Sequence, residues 1–152
     1  MRRYLLTAVV ALGLAAAVSA QPDRDIVGTW KLDASHSRFF GASGPPSNVI
    51  VRFERNGEVL RETLTVDNAS GTSTRVISYA VNGSDHANGA GEDRIVSRLI
   101  RDKDSLTLEW KDEGGTFTRR LKVSPDRRTL TITVHDSNPD GEPDDLIVLV
   151  RP

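Results

Sequence analysis

Apolar and polar residues alternate with a period of two along most of this chain. Val49, Val51 and Phe53 share one phase of "NVIVRFER" (48–55), and Leu60, Leu64 and Val66 share one phase around Glu62. Leu106, Leu108 and Trp110 follow the same rule, as do Leu130, Ile132 and Val134. Such alternation places side chains on opposite faces of a half-buried strand. It predicts nine strands, at 26–32, 48–55, 58–66, 72–81, 94–101, 105–111, 116–123, 129–135 and 146–151. No segment beyond residue 20 carries a 3.6-residue apolar period. The breaks "RNG", "DNASG", "DKD", "DEGG" and "SPDRR" are short and have turn chemistry. Strands joined this way form an up-and-down meander with one apolar face. A closed barrel hides that face and removes exposed edges, whereas a sandwich usually needs longer crossovers. The expectation is an all-β, antiparallel up-and-down β-barrel of about eight or nine strands.

Residues 1–20 break the pattern. Arg2 and Arg3 precede the fourteen apolar residues "LLTAVVALGLAAAV", and "VSA" supplies a small-residue cleavage site at Ala20. This is the layout of a secretory signal peptide cut before Gln21. A membrane anchor would need roughly 20 apolar residues. The expected mature chain, 21–152, is a single soluble domain in the periplasm or secreted, with no membrane span. It has no cysteine, so disulfides, thiol chemistry and thiolate metal sites are excluded, and the core alone must hold the fold. Without Arg2 and Arg3, 18 basic side chains face 21 acidic ones. That mild acidity argues against nucleic acid as a partner.

Candidate chemistry is sparse. His36, His86 and His135 are far apart and lack the spacing that presents two imidazoles to one metal. No G-x-S-x-G motif is present, so neither an enzyme nor a cofactor is expected. The acidic run "DSNPDGEPDD" (136–145) alternates Asp and Asn around Gly141 in the manner of a calcium loop. However, Ile147 stands where the bidentate Glu should be, and Pro139 and Pro143 stiffen the run. A solvated hairpin turn at Asp140-Gly141 is the competing reading, and no metal ligand is assigned.

The opening "VGTWKLDASHSRF" resembles the Gly-x-Trp start of lipocalin and calycin barrels, here Gly28, Thr29 and Trp30. The chain is also similar to small exported bacterial proteins of uncharacterised function, which carry a "GTWKL…S.F" start and a late "S-P-D-G-K-T-L-T" turn. That turn is "SPDRRTLTI" here, with Arg127 where Gly is common. The resemblance implies a lipocalin-like fold and carries no activity. It also implies that Trp30 closes one barrel end, with Arg151 packed over its ring.

Aromatic residues supply the functional lead. Phe53, Trp110 and Phe117 would either line a cavity or fill the barrel, since about eight strands is the border between those outcomes. The long connection 33–47 carries Phe39 and Phe40 among Gly, Ser and Pro, as a flap with an apolar tip would. The expected ligand-binding set is Phe39, Phe40, Phe53, Tyr79, Trp110 and Phe117, around a small apolar or amphipathic molecule. The alternative is a cell-envelope protein-interaction module with a solid core.

Overall fold

The computed structural model describes residues 22–40, 44–91, 94–136 and 144–152. The expected signal segment lies outside the described residues. One helical turn, α1 (Pro22–Asp25), precedes ten strands: β1 (Gly28–Leu32), β2 (Asn48–Asn56), β3 (Val59–Asn68), β4 (Gly71–Ala80), β5 (His86–Asn88), β6 (Ile95–Arg101), β7 (Leu106–Asp112), β8 (Gly115–Val123), β9 (Thr129–Asp136) and β10 (Asp145–Val150). They form one antiparallel sheet in the order β4-β3-β2-β1-β10-β9-β8-β7-β6-β5. Sequential neighbours pair, and the first and last strands pair with each other, Lys31 opposite Val150. The result is a nearly closed meander barrel.

Ten strands replace the eight or nine expected. The addition is β5, inside the connection 82–93, which reads as a loop. Three residues are too few to show a period, and "HAN" has no apolar phase. Neither α1 nor the retreat of β1 to Gly28 was expected, because a single turn is also too short to declare itself.

The seam between β4 and β5–β6 lacks a backbone ladder but is not open. The Asn88 side chain accepts from Ser78 N at 2.7 Å and donates to Ser78 O at 3.1 Å, standing in for a strand partner. Ser97 Oγ also donates to Ser78 O.

The strand registers define two barrel ends. At one lie α1, the β2–β3 hairpin and the end of β10. Here Trp30 is fully buried and its indole donates to Ile26 O at 2.7 Å. The Arg151 guanidinium lies 4.2 Å above the Trp30 ring and donates to the carbonyls of Asp25, Val27 and Arg127. Gly28 has φ 127°, and a Cβ there would stand 2.5 Å from Arg151 Nη1, so only glycine lets the guanidinium approach. Arg127 holds φ 58°, the left-handed region where glycine is at home, and its Nη2 pairs with Asp25 at 3.0 Å. Asp23, also buried here, binds Arg55 at 2.6 Å and Arg101 at 2.9 Å. Ile26, Leu60, Leu106, Leu121, Leu130 and Leu149 are buried in the same core, and this end is closed.

Candidate ligand-binding cavity

The opposite end contains a cavity of about 440 Å³. Its walls come from the inward phase of several strands: Val49 and Val51 of β2, Leu64 and Val66 of β3, Ile132 and Val134 of β9, and Ile147 of β10. Trp110 of β7 and Phe117 of β8 stack with ring centroids 5.3 Å apart and planes 12° from parallel. Phe39, Gly44 and Pro46 complete the wall where it reaches the surface. An apolar chamber of this size suits one small molecule.

Of the six aromatics expected to bind ligand, the structure brings Phe39, Trp110 and Phe117 together on the lining. Phe53 and Tyr79 are buried in the core and do not line the cavity. Phe40 is 44% exposed and is not among the lining residues. The reason is local. Arg38 forms a two-way backbone bridge with Leu146, at 2.7 and 2.9 Å, and Phe40 N donates to Asp145 at 2.6 Å. Residues 33–40 are therefore stapled to β10 rather than free as a flap, and alternate side chains face opposite ways.

Three charged residues on the inward phase were not expected: Glu62 and Arg119 are buried, and Arg75 is exposed. Glu62, Arg75 and Arg119 all occupy the inward phase of their strands, where apolar residues normally sit. Glu62 and Arg119 are buried and form a two-point ion pair, with Nη1 to Oε1 at 2.8 Å and Nη2 to Oε2 at 2.5 Å. The Tyr79 hydroxyl donates to Glu62 Oε2 at 3.1 Å. Burial, reinforced by the Glu62 charge, pushes the Tyr79 pKa far above the ordinary phenol value. Burial alone would lower the Arg119 pKa, but Glu62 outweighs it and the guanidinium stays charged.

Arg75 is different. Its guanidinium lies 4.6 Å from the Trp110 ring centroid, as does that of Arg119. No carboxylate pairs with it among the described residues. Burial, and then the neighbouring Arg119 charge, push its pKa below the ordinary arginine value. Two donors beside it are buried without partners: Trp110 Nε1 and Arg119 Nε. Arg75, Trp110 and Arg119 all line the cavity. The lining thus carries one exposed cation with no carboxylate partner among the described residues, Arg75, beside two buried N–H groups without partners, which are a cost to the fold.

The barrel is similar to solved fatty-acid-binding proteins. Fatty-acid-binding protein 1 of Echinococcus granulosus superposes with TM-score 0.56 at 12% identity, covering 84% of this chain and 98% of that one. Apo lipid binding protein 8 of Caenorhabditis elegans gives 0.57 at 11%, covering 85% and 96%. The fluorescent protein UnaG gives 0.61 at 15%, covering 85% and 98%. At these identities the likeness is one of fold. It shifts the expected architecture from a lipocalin-like barrel to a ten-stranded one of the fatty-acid-binding type. No protein-family model matches the chain, and no curated protein matches it by sequence.

The histidines stay apart. His36 joins Asp33 and Ser35 in one exposed turn, with Nδ1 2.8 Å from Asp33 and 3.0 Å from Ser35 Oγ. That trio has a triad's residue types, but it lies on the surface and away from the cavity lining. His135 pairs with Asp144 at 2.9 Å beside the acidic run. The run's tip, 137–143, lies outside the described residues. On either side of it β9 and β10 pair, Asp145 opposite Val134. No group of three or more potential metal ligands occurs among the described residues. No described helix is long and apolar enough to cross a membrane.

Proposed function

We propose that this chain is an exported binding protein that holds one amphipathic molecule, its apolar part in the barrel and its acidic head group against Arg75. The observation that carries this is the unpaired Arg75 guanidinium on the wall of an apolar cavity of about 440 Å³. A solid-core interaction module has no use for such a chamber. The names of the fatty-acid-binding and lipid-binding neighbours support the same ligand class, and the N-terminal "RR…VSA" layout supports export. The role is binding rather than catalysis, because the described lining residues offer a cation in an apolar wall and no nucleophile paired with a base.

Titration calorimetry with dodecanoate and dodecanol tests the binding reading. One equivalent of dodecanoate should bind more tightly than the alcohol. Arg75→Gln should weaken the carboxylate by about tenfold, the worth of one charged hydrogen bond, and leave the alcohol unchanged. A protein that takes up neither ligand is not a carrier of this kind. Export has its own test. N-terminal sequencing of protein from the native envelope should begin at Gln21, and an intact Met1 would overturn export alone.

A further inference from the structure

The binding reading leaves one residue unexplained. Glu62 sits on the inward phase of β3, opposite Phe53 of β2 and Ile77 of β4, both buried and apolar. Burying a carboxylate there is costly, and a buried ion pair is often no more stable than apolar residues of similar volume. Stability alone is a poor reason for this one. Its geometry suggests another role. Glu62 fills the two-pronged edge of Arg119, the shape that guanidinium offers to a ligand carboxylate. Nε of Arg119 is buried without a partner, as is Trp110 Nε1, and the residues Arg119, Trp110 and Arg75 all line the cavity. Asp145, an acid that does line the cavity, accepts from Phe40 N where β10 begins.

Resting on the binding reading, we propose that Glu62 is a specificity-determining residue that sets the charge of the head group the cavity accepts. By occupying Arg119 it leaves a single uncompensated cation, Arg75. A head group with one negative charge is matched there. A head group with two negative charges leaves one of them without a cationic partner, near the Glu62 charge. Without Glu62 the same wall would present two free guanidiniums, and the preference would move to the dianion.

Three ligands sharing a twelve-carbon chain separate these cases: dodecanol with no charge, dodecanoate with one, and dodecylmalonate with two on one head. Each is titrated calorimetrically into the wild type, Glu62→Gln, and the double variant Glu62→Gln with Arg119→Gln. The wild type should prefer dodecanoate. Glu62→Gln should reverse the order, strengthening dodecylmalonate by about tenfold or more while dodecanol stays within about twofold. The double variant should return to the wild-type order, because Arg75 again acts alone. Unchanged dodecylmalonate affinity in Glu62→Gln, with dodecanoate still bound, overturns the role of Glu62 and spares the binding reading. If Glu62→Gln does not fold, the double variant decides. Retained preference for dodecanoate over both others supports the proposal, and loss of that preference overturns it, since Arg119 would then already serve the ligand. A wild type that takes up none of the three overturns the binding reading and this inference with it.

Discussion

At the α1 end of the barrel, Arg55 and Arg101 converge on Asp23 and both find it. At the other end, Arg75 and Arg119 face a single Glu62, and only Arg119 reaches it. All four arginines stand on the inward phase of strands whose other inward residues are mainly apolar. At the closed end the chain supplies its own counter-charge and caps the strands with Trp30 and Arg151. At the open end one guanidinium is left without a carboxylate partner among the described residues, beside an apolar cavity. An inward arginine is structural where the chain completes its pairing; where it does not, it is the proposed contact for a ligand.

The comparison breaks most visibly at Trp30. Trp30→Ala should destabilise the barrel by about 3–5 kcal/mol, as for other fully buried aromatics, because it removes both the end cap and the surface on which Arg151 rests. Urea unfolding measures this. A loss below about 1 kcal/mol would mean that the closed end is not where stability is concentrated.

Asp23 comes next. Hydrogen bonding from Arg101 holds its carboxyl below the usual aspartate range, although burial opposes the shift. Its folded pKa therefore lies below its unfolded one. The stability it contributes is full above about pH 3.8 and is lost as pH falls through the depressed folded value. Asp23→Asn should cost about 3 kcal/mol at pH 7, where it leaves two arginines without a charge partner, and should flatten the stability profile below pH 4. An unaltered acid limb would show that Asp23 is not a main source of acid sensitivity.

The smallest effects belong to the open end. Phe39→Ser should weaken dodecanoate binding several-fold, since it strips apolar wall from the cavity mouth. Phe40→Ser should leave affinity within about twofold and stability within about 0.5 kcal/mol, as for other exposed positions. Equal loss from both would mean that the staple to β10 releases in solution and that either ring can cover the mouth.

These differences explain what the sequence could disclose. The all-β antiparallel meander was legible because its strands are long enough for alternation to repeat several times. β5 was not, because three residues held by the Asn88 and Ser97 side chains carry no period. The cavity itself was hidden, since the same alternation serves a filled barrel and a hollow one. Its charged group was in plain view but not recognised. Glu62 interrupts Leu60, Leu64 and Val66; Arg75 precedes Ile77 and Tyr79 in phase; and Arg119 lies between Phe117 and Leu121. A charged residue on the apolar phase signals buried chemistry. What it cannot reveal is which charges will meet, because Glu62 and Arg119 are 57 positions apart and only the barrel's registers bring them together.

That long reach has a kinetic side, clearest where the barrel closes. Arg151 donates to Val27 across 124 positions of chain, and β1 pairs with β10 over a similar span. Every other ladder joins neighbours in sequence, most of them across a short hairpin and β1–β2 across the connection 33–47. The β1–β10 ladder alone must gather nearly the whole described chain, and the entropy of that loop is lost before any of its contacts can repay it. Folding thus divides into a series of fast local pairings and one slow closure. The cluster of Gly28, Trp30 and Arg151 is the latch of that last step, holding the cylinder shut by slowing its reopening.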